Sequence, residues 1–268
     1  MLDLDALRLR IGYAGPLLCD LPTLVGLQRA FVLAVPFENL DIQLGRPLRL
    51  EVPWLFHKIV VERRGGFCYE LNGLFAAVLE QLGFCVTRLG VSLRNKDTGR
   101  WTSPFAHLGL RVDLEEPWLV DVGLNDPFRA PLRLCSGTEQ SDGWADYRLD
   151  LEPAGTWLLA LREPGQPWEA RYRFDAVPRA LEDFVPSSDT LQTSPESPFR
   201  AGYLCCQARA EGRVTVTGHR VLVVDRAGRH EKPLLDQAAF VRAMREHLGL
   251  DLPAIIETLR DPPVSPSD

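Results

Sequence analysis

Apolar residues recur with helical spacing in the first third of the chain. After Phe67 they return every three or four positions until Gly83, at Leu71, Leu74, Phe75, Val78, Leu79 and Leu82. This spacing is typical of an amphipathic helix, and glycine often follows a helix end. Up to about Leu82, short apolar segments alternate with proline and glycine, which predicts a small helical bundle.

Beyond this bundle the pattern changes to short apolar runs broken by turn residues. These runs predict strands of an antiparallel sheet or barrel, at 86–92, 107–112, 118–122, 147–151, 156–161 and 170–174. A polar passage rich in serine and proline follows at 178–198 and predicts a connector or a hinge. Three further short strands precede a helix that covers 236–248 and ends at Gly249.

Composition excludes several classes of partner. The formal net charge is -6 and there is no dense run of Lys or Arg, so neither a nucleic acid nor an anionic membrane is expected as the main partner. The start, Met1–Asp5, lacks the pattern of a signal peptide, and no apolar stretch is long enough to cross a bilayer. We therefore expect a cytoplasmic protein that acts on small molecules.

The six cysteines lack the spacing of a metal site or of a disulfide framework. They stand at positions 19, 68, 85, 135, 205 and 206, with no C-x-x-C pair. We expect most of them to be reduced and structural, and we expect no bound metal. The adjacent Cys205 and Cys206 should point to opposite faces of a strand and pack in the core.

Cys68 is the exception, because it falls at the first turn of the predicted helix. There the free N–H groups and the positive end of the helix dipole favour a thiolate. The preceding Gly65 and Gly66 allow a sharp turn and a close approach of substrate. A free cysteine is nevertheless more often a buried structural residue, so a catalytic role requires a partner histidine.

His107 and Asp121 are the candidate partners. If Val112 pairs with Trp118 across the predicted hairpin, Asp121 lies opposite Gly109 and diagonal to His107 on the same face. A carboxylate inside an apolar strand needs a polar partner. A register shift of one residue would separate the two side chains, and a purely structural hydrogen bond is the alternative interpretation.

A thiol at a helix start together with a histidine oriented by a carboxylate is the arrangement that nucleophilic cysteine catalysis requires. The histidine takes the thiol proton, the carboxylate orients the histidine, and the thiolate attacks an acyl carbon. The residues alone therefore favour an enzyme in which Cys68, His107 and Asp121 are catalytic.

Most of the chain resembles the arylamine N-acetyltransferases. The resemblance rests on several segments in the order and spacing of that family: Arg10–Tyr13, Val35–Asp41, Arg64–Asn72, the strand that begins at His107, Val120–Gly123, Ala130–Leu132 and Thr193–Phe199. It implies a papain-like Cys-His-Asp triad and a ping-pong reaction through a Cys68 thioester. The donor would be acetyl-CoA, used as a co-substrate with no bound cofactor, and the acceptor an arylamine or arylhydrazine. The oligomeric state is left open.

The resemblance also implies an α+β fold with a helical first domain, an antiparallel β-barrel and an α/β lid. The corresponding boundaries are a helical bundle over 1–85, a barrel over 86–185, a connector over 186–204, a lid over 205–262 and a disordered tail over 263–268. The tail is also expected from its proline and serine content.

Further site residues follow from the same resemblance. It implies an ion pair between Arg64 and Glu38 that braces the loop before the nucleophile. It also implies that substrate is bound by Phe37, Phe67, Ala106, Leu124, Asn125 and Phe199. Leu124 and Asn125 stand where the family commonly has Phe-Gly, so we expect a reshaped acceptor pocket without one aromatic ring.

Three other functions are weighed against the acetyltransferase. A related amide synthase would use the same triad to close a macrolactam. A cysteine hydrolase would transfer the acyl group to water, although the local sequence signature of papain-like proteases is absent. A non-catalytic binding module would keep the triad only as a structural feature.

Overall fold

Helices dominate the first 81 residues, as the apolar spacing predicts. The computed structural model describes residues 1–251. The helices are α1 (Leu4–Ile11), α2 (Leu21–Ala34), α3 (Leu40–Gln43), α4 (Val52–Phe56), α5 (Cys68–Gln81), α6 (Val185–Thr193), α7 (Pro198–Ala201) and α8 (Gln237–Leu248). A π-helical turn, His57–Val61, continues α4, and a 3₁₀ turn, Leu181–Phe184, precedes α6.

Local capping explains where the longer helices begin and end. Asp3, Asp20 and Asp236 each accept a hydrogen bond from the backbone N–H three residues later, which satisfies a free donor at the start of α1, α2 and α8. Gly249 ends α8 in the left-handed conformation, with φ of 64°. The predicted C-terminal helix is thereby confirmed.

The middle of the chain forms an eight-stranded antiparallel sheet. Its members are β2 (Cys85–Leu93), β3 (His107–Asp113), β4 (Pro117–Val120), β5 (Leu132–Arg133), β6 (Glu139–Ser141), β7 (Asp146–Leu151), β8 (Trp157–Arg162) and β9 (Glu169–Phe174), in the order β5-β4-β3-β2-β9-β8-β7-β6. The Gln140 side chain bonds the backbone N–H and C=O of Arg133, so it joins the two edge strands. The sheet is a nearly closed barrel, as predicted.

A second, five-stranded sheet combines distant parts of the chain. It contains β1 (Phe37–Glu38), β10 (Leu204–Arg209), β11 (Gly212–Thr217), β12 (Arg220–Asp225) and β13 (Gly228–Pro233), in chain order across the sheet. Strand β1 comes from the helical part and pairs with β10, with Phe37 opposite Cys206. The helical segment and the third segment therefore share one sheet.

The side chains of the adjacent cysteines of β10 pack in two different hydrophobic cores. Cys205 packs with Val214, Met244 and other residues beneath α8, whereas Cys206 packs in the large core that includes Phe37. This confirms that the two side chains point to opposite faces, as expected for neighbours in a strand.

The passage predicted as a connector over 186–204 contains helices α6 and α7. Pro186 and Pro198 lie in the first turns of these helices, where the missing N–H of proline costs no hydrogen bond. The Ser197 hydroxyl accepts from the N–H of Phe199 and caps α7. Proline and serine here mark helix starts, which explains why composition alone indicated an irregular segment.

No helix within residues 1–251 is long and apolar enough to cross a membrane. The cytoplasmic location stays a prediction. The end of the segment 205–262 and the tail 263–268 lie outside the described residues.

The loop before α5 is held by the buried side chain of Arg10. Its guanidinium donates hydrogen bonds to the backbone carbonyls of Ile59, Arg63, Arg64 and Ala34, at 2.8 to 3.4 Å. Four carbonyls on one guanidinium fix the path of the chain just before Cys68. This path requires glycine at position 65, because a Cβ there would lie 2.1 Å from the carbonyl oxygen of Pro36.

A buried network of five charged side chains braces the same loop. Arg64 Nη2 lies 2.8 Å from Glu38 Oε1 and 3.0 Å from Asp41 Oδ1, so the expected ion pair is present. Lys58 Nζ lies 2.8 Å from Asp41 Oδ2 and 2.7 Å from Glu70 Oε1. Burial alone would lower the pKa of Lys58, but the surrounding carboxylates raise it above its ordinary value, so the lysine stays charged.

We expect the substitution Arg64→Met to lower the free energy of unfolding by about 3–5 kcal/mol, because it leaves Glu38 buried without its cation. Urea denaturation followed by circular dichroism measures this loss. The matched control is Lys96→Met, which breaks an exposed pair with Glu169 and should cause a much smaller loss. Equal losses in the two variants would show that the network does not stabilise the fold as described.

Candidate active site

Cys68 is the first residue of α5, as the sequence predicts. Its side chain is almost buried, with 4 % of the residue exposed. The preceding residue, Phe67, donates its backbone N–H to the Glu70 carboxylate at 3.1 Å, which fixes the entry of the chain into the helix. The thiol therefore lies at the N-terminal end of α5, and the hydrogen bond between Phe67 and Glu70 fixes this first turn of the helix.

His107 and Asp121 lie together on the barrel wall that faces α5. Val112 pairs with Trp118 as predicted, so the register of the hairpin is confirmed. His107 Nε2 lies 2.7 Å from Asp121 Oδ2, and the imidazole also interacts with the Cys68 side chain. The bond to Asp121 uses Nε2 and leaves Nδ1 for the thiol.

The electrostatic environment favours a charged imidazole. Burial would lower the pKa of His107, but the Asp121 carboxylate beside it, with a further contribution from Cys68, raises that pKa to about 10. The ring therefore holds a proton at neutral pH, and an imidazolium next to the sulfur stabilises a thiolate.

Asn72 is a site residue to which sequence reasoning assigned no role. Its Nδ2 donates to Asp121 Oδ1 at 2.8 Å and to the Leu108 carbonyl at 2.6 Å, while its Oδ1 accepts from the Val122 N–H at 2.9 Å. Asn72 stands one helical turn after Cys68, on the same face of α5. That spacing is the signal in the sequence that points to it.

Close packing at Gly123 joins the nucleophile to the carboxylate. A Cβ on Gly123 would lie 2.8 Å from the Cα of Cys68 and 2.6 Å from Nδ2 of Asn72. Only glycine allows the chain after Asp121 to pass this close to the start of α5. The Gly123 N–H in turn donates to Asp121 Oδ1 at 2.9 Å.

Three of the expected substrate-binding residues form one aromatic cluster. The ring of Phe199, on α7, lies 6.0 Å from that of Phe37 and 6.3 Å from that of Phe67, measured between centroids. Phe67 is fully buried and Phe199 is partly exposed. Asn39 and Gln43 hold α7 in place through the carbonyls of Phe199 and Gly202.

The other three expected residues have different surroundings. Ala106 is partly exposed and precedes His107 directly. Leu124 is buried and packs with residues of the barrel core rather than with the aromatic cluster. Asn125 is exposed, and its Oδ1 accepts a hydrogen bond from Arg171 at 3.2 Å.

Within the described part of the chain, no group of three or more His, Cys, Asp or Glu residues is arranged to hold a metal ion.

Comparison with known proteins finds relatives over most of the chain. The profile of the N-acetyltransferase family matches residues 20–256. The arylamine N-acetyltransferase of Escherichia coli strain K12 is 34 % identical over 247 residues, which cover 90 % of this chain and 86 % of the relative. That of Mycolicibacterium smegmatis is 36 % identical over 258 residues, covering 94 % and 93 %.

The structure also superposes on a solved relative. The arylamine N-acetyltransferase of Mycobacterium marinum in complex with CoA matches with a TM-score of 0.86 at 32 % identity, over 94 % of each chain. Sequence and fold agree over nearly the whole length of both proteins. The chain belongs to the arylamine N-acetyltransferase family of acyltransferases.

Proposed function

We propose that this protein transfers an acetyl group from acetyl-CoA to the nitrogen of an arylamine or arylhydrazine through a thioester on Cys68. The observation that carries the proposal is the buried hydrogen bond between His107 and Asp121, together with Cys68 in the first turn of α5 close enough to act on the His107 imidazole. Membership of the family and the CoA complex of a relative support acetyl-CoA as the donor.

In the first half of the reaction, the Cys68 thiolate attacks the acetyl carbon of acetyl-CoA. The bond between that carbon and the CoA sulfur breaks, and the leaving thiolate takes a proton from the His107 imidazolium. The free N–H groups in the first turn of α5 stabilise negative charge that develops beside Cys68. CoA leaves as a thiol, and acetyl-Cys68 and a neutral imidazole remain.

In the second half, the amine nitrogen attacks the thioester carbon. Neutral His107 accepts a proton from the attacking nitrogen, and Cys68 leaves as a thiolate. The original ion pair of thiolate and imidazolium is restored. Because the donor product leaves before the acceptor reacts, the kinetics should be ping-pong.

The roles of Asp121 and Asn72 are structural support for this proton transfer. Asp121 orients the ring of His107 and stabilises its charged form, and Asn72 holds the second carboxylate oxygen. The aromatic cluster of Phe37, Phe67 and Phe199 supplies apolar contact for an aromatic acceptor.

Intact-mass measurement tests the thioester directly. Wild-type protein mixed with acetyl-CoA should gain one acetyl group and release one equivalent of CoA, and 4-aminobenzamide should then remove the acetyl group as the N-acetylated product. Cys68→Ala should show neither step, because it lacks the nucleophile. Cys19→Ala, which removes an exposed cysteine, should behave as wild type.

An adduct that persists on Cys68→Ala would exclude Cys68 as the acyl carrier. Loss of the acetyl group in the absence of amine, at the rate seen in its presence, would instead indicate a cysteine hydrolase.

The raised pKa of His107 predicts a pH dependence of stability. Because the imidazolium is favoured in the folded protein, its contribution is fully present below pH 6.5, the ordinary pKa, and is lost as the pH rises through about 10. The free energy of unfolding of wild type should therefore fall, relative to that of Asp121→Asn, between pH 6.5 and 10. A difference that is constant with pH would show that Asp121 does not hold the proton on His107.

A further inference from the structure

His107 lies at the very start of its strand. It is the first residue of β3, and the last pair between β2 and β3 joins it to Val91. On the other side of β3, pairing with β4 reaches only as far as Leu110, and residues 102–106 before His107 lie outside the strand. Contacts beyond the sheet are therefore needed to fix the His107 backbone relative to Cys68.

Two side chains of α5 hold the backbone on either side of His107. The Tyr69 hydroxyl donates to the carbonyl of Phe105 at 2.6 Å, and Asn72 Nδ2 donates to the carbonyl of Leu108, also at 2.6 Å. Tyr69 and Asn72 are three residues apart, so they lie on the same face of the helix. The helix that begins with the nucleophile thus binds the chain two residues before His107 and one residue after it.

The ring of Tyr69 is fixed in direction by its neighbours. Tyr69 is fully buried, and its ring packs against that of Phe67 at 5.0 Å and that of Phe184 at 5.6 Å, measured between centroids. The ring of Phe184 also lies 5.4 Å from that of Phe105. In such a closely packed set of rings, the hydroxyl cannot turn away from the Phe105 carbonyl unless a neighbouring ring moves.

The Tyr69 phenol is a neutral donor at the pH of the reaction. Burial raises its pKa above the ordinary value, and a negative charge on Cys68 acts in the same direction. The hydroxyl therefore keeps its proton when the thiolate forms and continues to donate to the carbonyl. The Ser187 side chain, on α6, interacts with the same phenol.

The bond between His107 and Asp121 does not set the distance from the imidazole to the nucleophile. Both residues belong to the same hairpin of the barrel, so their bond orients the ring within that hairpin. The distance to Cys68 depends on contacts between α5 and the barrel. On the side of the chain that precedes His107, the Tyr69 phenol supplies such a contact.

We infer that Tyr69 is a positioning residue, whose phenol holds the Phe105 carbonyl and thereby fixes the His107 imidazole against the nucleophile. The inference rests on the proposed function and adds to it a residue that the reaction itself does not consume. Proton transfer depends steeply on the placement of the base, so loss of one hydrogen bond at this position should slow the acetylation of Cys68.

Single-turnover kinetics of the variant Tyr69→Phe tests the inference, because this change keeps the packed ring and removes only the hydroxyl. The readout is the release of CoA from acetyl-CoA in the absence of an acceptor. The maximal rate should fall about tenfold, while the acetyl-CoA concentration that gives half of that rate should stay unchanged.

A second readout needs no acetyl-CoA. It is the pH dependence of the alkylation of Cys68 by iodoacetamide, followed by mass spectrometry of the peptide that contains Cys68. A displaced imidazolium stabilises the thiolate less, so the alkylation profile of Tyr69→Phe should move to higher pH than that of wild type. A side chain that only supported the fold would leave this profile in place.

Tyr13→Phe is the matched control. It removes a phenol that also donates to a backbone carbonyl, that of Pro16 at 2.9 Å, in the segment between α1 and α2. Both the rate of CoA release and the alkylation profile of this variant should match those of wild type.

Three outcomes would overturn the inference. One is a wild-type rate and profile in Tyr69→Phe, and another is an equal change in Tyr13→Phe. The third is an unchanged maximal rate with a higher half-saturating concentration, which would show that Tyr69 binds the donor instead. Failure of the proposed function is distinguishable, because wild type would then release no CoA, whereas the alkylation profiles would still report the position of His107.

Discussion

The Asp121 carboxylate is completely buried and accepts hydrogen bonds from three separate places in the chain. His107 comes from β3, Asn72 from α5, and Gly123 from the loop that follows Asp121 itself. A buried carboxylate without hydrogen-bond partners would strongly destabilise the fold. The barrel and α5 therefore have to pack in an arrangement that supplies hydrogen-bond donors to Asp121. That arrangement also places the imidazole against the thiol at the start of α5. The chemistry of the site and the packing of the two parts thus depend on one buried anion.

The buried charge network on the other side of Cys68 has a different role. Its three carboxylates and two cations pair with one another and hold the loop that leads into α5. Within residues 1–251, none of the hydrogen bonds of this network reaches His107 or Asp121. Arg10 completes this support by binding four backbone carbonyls. Removal of one charge from such a network lowers the free energy of unfolding more than replacement of the whole set by apolar residues would. The network therefore restricts which single substitutions the chain tolerates. Cys68 is therefore held from two sides, by the Asp121 carboxylate towards the barrel and by a network of paired charges towards the helices.

Asn125 and Asp126, which are neighbours in the loop after Gly123, each bind an arginine, but through different chemical groups. Asp126 pairs with Arg213, which also binds Glu163, and so joins the barrel to the five-stranded sheet. Asn125 accepts a hydrogen bond from Arg171 through its neutral side-chain amide. An arginine paired with two carboxylates from different parts of the chain stabilises the contact between those parts.

Local patterns in the sequence predicted much of the site. The apolar spacing located α5 with Cys68 in its first turn, and the five residues between Val112 and Trp118 set the register that brings His107 to Asp121. Both predictions succeed because helix periodicity and hairpin pairing are decided by residues close together in the chain. By contrast, the proline and serine content of 186–204 indicated a connector where two helices form, since the same residue types favour turns and helix starts alike.

The sequence by itself determined the helical bundle, the antiparallel barrel and the candidate triad of Cys68, His107 and Asp121. Only the tertiary structure decided that Asn72 holds Asp121, that Lys58, Asp41 and Glu70 join the pair of Arg64 and Glu38, and that Arg171 donates a hydrogen bond to Asn125. These contacts join residues from 12 to 49 positions apart on different elements. No periodic pattern encodes such contacts, because they depend on how finished helices and strands pack against one another.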